Sequence, residues 1–185
     1  MNDKESLCYT STIGLGDYFN TYQLSDGSLV NVRIMDTGGQ ERFKSINKKY
    51  YQKADCCLLV YDITDVNSFE EIKKYYIEEI KNRCPKDVKV ILLGNKTDLE
   101  KKRTINIENA CSLAEENNFI FKETSCVKNE NVADAFETLI EITYREKILN
   151  NTEKMKINMS STIISNEDLK LNQKENKKHC YCLIS

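Results

Sequence analysis

Three unbroken apolar runs mark buried strands along the chain. They are CCLLVYD (56–62), VKVILLG (88–94) and the shorter FIFKET (119–124). A strand that is buried on both faces of a parallel sheet has this pattern, because neither face alternates with water-exposed polar residues. The runs therefore predict a central parallel sheet.

An earlier pair of apolar segments predicts a hairpin. YFNTYQL (18–24) and LVNVRIM (29–35) flank the sequence Ser25-Asp26-Gly27. An Asp-Gly turn between two such segments is a strong hairpin signal. We therefore expect one antiparallel pair of strands.

Apolar residues at helical spacing fill the intervals between the runs. Helices are predicted over residues 67–84, 107–118 and 131–149, with Asn131 as the N-cap of the last. Strands that alternate with crossover helices predict an α/β, doubly wound, mostly parallel sheet with one antiparallel hairpin strand. The pattern ends near residue 150, so we predict a folded domain over 1–150 and a disordered, tethering tail over 151–185.

The overall composition excludes several classes of function. Hydrophobic residues make up 40% and charged residues 30% of the chain, with a net charge of −2, so the surface gives no electrostatic basis for nucleic-acid binding. No apolar run reaches the length of about 18 residues that a membrane span needs. The N-terminal MNDKESLCYT lacks an apolar core, and we expect no secretory signal peptide.

The cysteines and the histidine argue against metal sites and nucleophilic catalysis. The eight cysteines include no C-x-x-C pair, and His179 is the single histidine. We therefore expect free thiols in a reducing compartment, no zinc site, and no Ser-His-Asp or Cys-His arrangement in the body of the domain.

The tetrapeptide NKTD (95–98) directly follows a predicted strand. In an open α/β sheet, loops at the carboxyl ends of strands line the ligand crevice. Asp98 can accept two hydrogen bonds from adjacent N–H groups on the guanine edge, a pair that adenine does not offer. Asn95 can bridge the base and neighbouring loops, and the stem of Lys96 can cover the base plane. For this motif alone, a polar turn that caps a strand is the alternative.

ETSC (123–126) closes the next strand and is a second candidate for base recognition. Backbone N–H groups there, at Ser125 and Cys126, can reach the guanine O6. An N-cap role for Ser125 is the alternative.

Two motifs nearer the N-terminus suit a metal and phosphates. STIG (11–14) supplies Thr12, whose hydroxyl can ligate Mg²⁺ while its N–H meets a phosphate oxygen, although a β-branched residue entering a strand would look the same. DTGGQ (36–40) ends an earlier strand, and Gln40 alone would also fit an exposed polar loop. The order of the four motifs, each at a strand end, is the stronger signal.

In that order the motifs resemble those of the Ras superfamily of small GTPases, most of all its Rab branch. YTSTIG (9–14) resembles switch I, and RIMDTGGQERFKSINKKYY (33–51) resembles the Rab switch II region. LLVYDITDVNSFEEIKKY (58–75) and LLGNKTDL (92–99) continue the likeness, which covers about residues 8–148.

The resemblance implies a GTPase that converts GTP to GDP and phosphate, with Mg²⁺ as cofactor. By this likeness Gln40 orients the attacking water, Thr12 and Asp36 hold the metal, the latter through its water shell, and Gly39 lies at the terminal phosphate. The implied nucleotide-binding set is Thr12, Asp36, Gly39, Asn95, Lys96, Asp98, Ser125 and Cys126.

The resemblance also implies partners and a location. They are an exchange factor, a GTPase-activating protein, a GDP-dissociation inhibitor and effectors, at the cytosolic face of intracellular membranes and with a cytosolic pool. The implied process is vesicle traffic.

The end of the chain carries a lipidation signal. Residues 182–185 have the C-a-a-X form, and Cys180 makes a C-x-C pair with Cys182. Prenylation is predicted, with a chance cysteine as the alternative. One lipid gives only marginal membrane residence, so Cys180 is expected to carry a second. Farnesyl and geranylgeranyl groups both remain open.

One expected motif does not occur in the sequence. The phosphate loop G-x-x-x-x-G-K-[ST] should precede switch I, but none of the six glycines is followed by lysine. We therefore expect the first strand, phosphate loop and first helix of such a domain to be missing and hydrolysis to be impaired. Strands 29–35 and 56–62 should then lack a strand between them.

Two interpretations of the chain follow. The first is a Rab-like switch whose sequence is incomplete. The second is a non-catalytic, lipid-anchored protein that keeps effector surfaces without binding nucleotide.

Overall fold

The computed structural model describes residues 15–37, 50–159 and 179–184, with side chains described within 17–36 and 50–149. Six strands form one sheet in the order β1-β2-β6-β3-β4-β5. The strands are β1 (Leu15–Gln23), β2 (Leu29–Thr37), β3 (Cys56–Asp62), β4 (Lys89–Asn95), β5 (Ile120–Thr124) and β6 (His179–Ile184).

Four α-helices accompany the sheet within the described residues. They are α1 (Val66–Glu71), α2 (Ile77–Arg83), α3 (Ile107–Glu116) and α4 (Val132–Met159). A π-helical turn (Ile72–Tyr76) joins α1 to α2, and a 3₁₀ segment (Thr97–Lys102) follows β4. No described helix combines the length and apolar character that a membrane crossing requires.

The predicted hairpin is confirmed. β1 and β2 pair antiparallel from Leu15↔Thr37 to Gln23↔Leu29. Gly27 has φ +83°, and its N–H donates to the carbonyl of Leu24 at 2.9 Å. The positive φ explains why glycine is placed in this turn.

The parallel, doubly wound sheet is also confirmed. β2–β6, β6–β3, β3–β4 and β4–β5 all pair parallel. Alternate β3 residues enter two separate cores, because successive side chains of a strand point to opposite faces. Cys57, Leu59 and Tyr61 pack with the α1–α2 and α3 side, whereas Cys56 and Leu58 pack with the α4 side.

The predicted helices are present, with differences at their ends. Asp65 caps α1 by accepting from the Asn67 N–H at 2.9 Å. Asn131 precedes α4 as predicted, and its carbonyl accepts from Ala135 N–H at 3.0 Å. Its side chain is used differently from an N-cap, since Nδ2 donates to the carbonyl of Glu123 at 3.0 Å.

The prediction that no strand lies between β2 and β3 is wrong. β6 occupies it, pairing with β2 from Asn31↔His179 to Asp36↔Ile184 and with β3 from Cys56↔Cys182 to Leu58↔Ile184. Buried strands need a partner for every backbone N–H and C=O, and the C-terminal segment supplies one.

The tail also differs from the expected disorder in two places. α4 continues through Met159, and His179–Ile184 forms a strand. Residues 160–178 lie outside the described part of the chain, and the domain boundary at residue 150 stays a prediction.

A close contact at the end of β4 gives a test of the core. Gly94 lies opposite Tyr61 in register, and a Cβ on Gly94 would come within 2.8 Å of the Tyr61 hydroxyl oxygen and 3.0 Å of its Cζ. That hydroxyl is buried with no hydrogen-bond partner in the described residues. Burial raises the pKa of Tyr61, which keeps the hydroxyl protonated.

Gly94→Ala should lower the free energy of unfolding by about 1–3 kcal/mol, because the core cannot easily make room. Tyr61→Phe should be close to neutral, since it removes a polar atom that has no partner. The double variant should lose less than the sum of the two single effects. Urea unfolding of the four chains measures this, and strict additivity would show that the contact does not exist.

Candidate functional site

The carboxyl ends of three parallel strands meet at one edge of the sheet. Asp62, Asn95 and Thr124 end β3, β4 and β5, and they are aligned in register as Asp62↔Asn95 and Asn95↔Thr124. This alignment brings the loop at 95–98 beside the loop at 124–126. Parallel pairing produces it, because parallel strands end on the same side.

Asn95 joins the strands at this edge. Its Oδ1 accepts from Thr124 Oγ1 and from the Cys126 N–H, both at 3.3 Å. Its carbonyl accepts from the Ile63 N–H at 3.1 Å. The side chain of Asn95 therefore holds the 124–126 loop, and its backbone holds the residues that follow β3.

Asp98 is held by Ser125. The Ser125 hydroxyl donates to Asp98 Oδ1 at 2.6 Å and accepts from the Lys128 N–H at 3.1 Å. Ser125 is fully buried, and its backbone forms an isolated bridge with Glu130. A carboxylate can accept about four hydrogen bonds, so Asp98 keeps acceptor capacity for an external pair of donors.

Lys96 has an uncommon backbone conformation and a fixed charge partner. Its φ is +72°, in the left-handed region. Its Nζ lies 2.6 Å from Asp62 Oδ2, and Asp62 Oδ1 accepts from the N–H and hydroxyl of Thr64 at 2.8 and 2.7 Å. Burial would raise the pKa of Asp62, but the hydrogen bonds from Lys96 and Thr64 outweigh it, and the pKa lies below its ordinary value.

Sequence reasoning missed Asp62 and a second ion pair that supports this edge. Arg103 makes a bidentate contact with Glu123, Nη1 to Oε1 at 2.7 Å and Nη2 to Oε2 at 3.0 Å. This contact ties the residues after the 3₁₀ segment to β5. A carboxylate at the end of a buried apolar run was the signal for Asp62. Glu123 is part of the ETSC motif, but its partner Arg103 lies 20 residues earlier in the sequence, and no local pattern predicts the pair.

The predicted metal and phosphate residues are only partly described. Thr12, Gly39 and Gln40 lie outside the described residues. Asp36 is registered with Ile184, which pairs with Leu58, so it stands four residues short of Asp62, about 13 Å along the strand direction. The structure therefore does not bring Asp36 to the Asn95–Asp98 loop.

The described residues do not form a metal site by themselves. No group of three or more His, Cys, Asp or Glu side chains converges within them. Mg²⁺ in nucleotide sites keeps several waters and takes one or two carboxylates plus phosphates. Asp36 lies near the end of β2, and its role toward Mg²⁺ stays a prediction.

The two predicted lipidation residues are described as backbone in β6. Cys180 is registered with Val32, and Cys182 with Ile34 on one side and Cys56 on the other. Their position inside a sheet was not expected.

Comparison with known proteins shows the family to which the chain belongs. The family model of the Ras family matches residues 1–145. The chain is 38% identical over 178 residues to the Ras-related protein Rab-13 of Rattus norvegicus, which covers 96% of this chain and 84% of that protein. It is 36% identical over 164 residues to the GTP-binding protein YPT1 of Saccharomyces cerevisiae, covering 87% and 79%.

Asp62→Asn tests the ion pair with Lys96, because asparagine keeps an acceptor for Thr64 and removes the charge. Asp62 has a lowered pKa in the folded state, so its stabilisation is complete above the unfolded pKa of about 3.9 and is lost as pH falls through the folded pKa. The free energy of unfolding of the wild type should exceed that of the variant by about 1 kcal/mol at pH 7. The expected difference is small because Lys96 is partly exposed to water.

The difference in unfolding free energy should close as the pH falls below about 4. Urea unfolding at several pH values measures it. The control is Asp87→Asn, which removes a charge at an exposed position. A difference for Asp62→Asn that stays constant with pH would contradict the ion pair.

Proposed function

This chain is a Rab-like member of the Ras family of small GTPases, and from that premise we propose that it acts as a GTP/GDP-dependent switch in vesicle traffic. Its ligands are GTP and GDP with Mg²⁺. Its partners are an exchange factor, a GTPase-activating protein, a GDP-dissociation inhibitor and effectors. Its place is the cytosolic face of intracellular membranes, with a cytosolic pool.

The arrangement of Asn95, Asp98 and Ser125 is the observation that carries the proposal. The buried Ser125 hydroxyl orients the Asp98 carboxylate at 2.6 Å, and Asn95 holds the loop that presents the Cys126 N–H. We assign Asp98 to the two N–H donors of the guanine edge and the Cys126 N–H to its O6, for which it would exchange its 3.3 Å contact with Asn95 Oδ1. The Ser125 N–H donates to the Glu130 carbonyl at 3.1 Å, so the expected contact of that N–H with O6 is not supported, and Ser125 serves the site through its hydroxyl. The stem of Lys96 covers the base.

The residues that act on the phosphates are assigned by family membership. Thr12 and Asp36 serve the metal, Gly39 the terminal phosphate, and Gln40 the attacking water. GTP would order residues 9–16 and 36–47, and hydrolysis would release them. Cys182 carries a prenyl group and Cys180 a second lipid, since one lipid alone binds membranes only marginally.

The 185-residue chain contains no G-x-x-x-x-G-K-[ST] sequence. Such a loop supplies about four charge-assisted hydrogen bonds to phosphates, worth ~1.5–3 kcal/mol each. We therefore propose that hydrolysis by this 185-residue chain is impaired.

A second function, that of a non-catalytic, lipid-anchored effector-binding protein, is favoured by one observation. The sheet of this chain is completed by its own C-terminal segment. A strand that leads into a phosphate loop is therefore not needed to pair β2 and β3.

Nucleotide affinities distinguish the two functions. If phosphate contacts are lost completely, as the second function requires, GMP, GDP and GTP should bind with affinities equal within about threefold. If Thr12, Asp36 and Gly39 retain contacts with metal and phosphate, as the switch requires, GTP should bind more tightly than GMP. In both cases adenine nucleotides should bind more weakly, because base selection resides in Asp98. Ligand-observed NMR titrations suit the weak affinities that result.

The GTP-binding protein YPT1 of Saccharomyces cerevisiae, measured in the same buffer, provides the positive control for GTP binding. Micromolar GTP binding by the 185-residue chain that depends on the terminal phosphates would contradict the impairment and the second function. Equal binding of guanine and adenine nucleotides would contradict the base site itself.

Asp98→Asn should transfer preference from GMP to XMP. Xanthine carries a carbonyl where guanine has its amino group, and the asparagine amide can donate to that carbonyl. A change in the GMP-to-XMP preference of about 100-fold or more is expected, since a site built on hydrogen bonds rejects a base with the wrong polar group.

Ser125→Ala is the matched control for this substitution. It leaves the carboxylate in place but removes the hydroxyl that orients it, so affinity should fall while the preference for GMP persists. An Asp98→Asn chain that still prefers GMP would remove Asp98 from base recognition.

A further inference from the structure

The inner edges of β2 and β3 form a slot for one strand, which we call the strand slot. Each wall contains buried residues: Val30 and Val32 of β2 are each 1% exposed, and Cys57 and Leu59 of β3 are 0% exposed. One face of β2 is less buried, since Asn31 and Arg33 are partly exposed. β6 lies between the walls and is parallel to both. The slot offers two rows of backbone donors and acceptors that need partners.

The segment in the slot has the composition of a two-face-buried strand. HCYCLI carries no internal charge, glycine or proline, and tyrosine and isoleucine favour strands. It pairs with β2 along its full length of six residues. On the β3 side pairing ends at Leu58, whereas β3 and β4 remain paired to Asp62.

The chain between α4 and β6 is long enough to bring the C-terminal segment into the strand slot. α4 has 28 residues and is about 42 Å long, about 20 Å longer than the 23 Å that a seven-residue strand spans. Residues 160–178 can reach about 60 Å. Parallel pairing needs a connection of about a dozen residues or more, which this exceeds.

The residues in the slot are also those of the lipidation signal. Prenyl transfer requires the Cys182 thiolate to attack C1 of a prenyl diphosphate: a C–S bond forms, the C–O bond breaks, diphosphate leaves, and the thiol proton passes to solvent. The modifying enzyme must hold residues 182–185, but the Cys182 backbone is registered between Ile34 and Cys56. Close packing in a sheet interior also leaves little room for a prenyl chain.

We propose that the strand slot binds the unmodified C-terminal segment and thereby withholds Cys182 from lipidation. Sheet-bound and lipid-anchored chains are then alternative states, and release of β6 exposes the edges of β2 and β3. This inference rests on the prenylation in the proposed function.

Tyr181→Pro separates the two roles of the segment. Proline in a central strand breaks the ladder, and position 181 lies inside β6 but outside the C-a-a-X residues. Asn172→Pro is the matched control, with the same residue placed before β6. Hydrogen exchange and prenylation are measured on wild type and both variants, all as full 185-residue chains without lipid.

Amides of residues 179–184 in wild type should exchange on the order of 100-fold more slowly than those of a free peptide. Tyr181→Pro should speed the exchange of 29–37 by about tenfold or more, with β4 unchanged. Asn172→Pro should match wild type. If Tyr181→Pro destabilises the whole fold, wild-type protection of 179–184 still decides, and unprotected amides there would overturn the proposal.

Prenylation is measured with a protein prenyltransferase and a prenyl diphosphate. Tyr181→Pro should react about tenfold or more faster than wild type, since occupancy of the slot lowers the reactive fraction. Equal rates for Tyr181→Pro and wild type would overturn the withholding of Cys182. A peptide of residues 171–185 is the reference substrate. If it is not modified, the lipidation in the proposed function fails, while hydrogen exchange still decides whether the slot binds the segment.

Discussion

The backbone hydrogen bonds of β2 and β3 are the constraint on which the sheet depends. β3 is apolar on both faces and is packed between two cores, and β2 contributes Val30 and Val32 to one core and Met35 to the other, so water has little access to the inner edges of the two strands. In the described structure β6 lies between them and supplies the partners, so a state in which β6 is released leaves these edges exposed. Any strand that fills this position joins the hairpin to the rest of the sheet, because β1 is bonded to β2 alone. The hairpin therefore depends on β6 for its attachment to the sheet.

The edge that carries the proposed base site is built on the other half of the sheet. Its residues follow β3, β4 and β5, which pair with one another without help from β6. Side-chain contacts fix the loops: Ser125 on Asp98, Asn95 on the 124–126 loop, and Lys96 on Asp62. This division explains how a chain without a phosphate-loop sequence can keep these loops in place. The residues proposed for base selection and those proposed for the phosphates depend on different strands.

The C-terminal segment combines the sequence features of a buried strand with those of the proposed prenylation signal. A short apolar stretch with β-favouring residues fits a buried strand, and a cysteine four residues from the end fits a prenylation signal. The two uses compete for the same atoms because a backbone paired on both sides is not free to enter an enzyme. If the competition operates as proposed, the state of the sheet and membrane attachment are linked, and the free energy of β6 in its slot sets the balance.

The sequence by itself determined the elements whose signals are local. Apolar runs identified β3, β4 and β5, an Asp-Gly turn identified the hairpin, and NKTD and ETSC were correctly placed at the ends of β4 and β5, while their role in guanine recognition stays a prediction. Tertiary structure alone decided the contacts between residues distant in sequence. Lys96 forms an ion pair with Asp62, Arg103 forms one with Glu123, and His179–Ile184 pairs with β2 and β3. The physical reason is that a strand's own pattern shows that its edges need partners, whereas the identity of those partners depends on which distant segment can reach them and pack there.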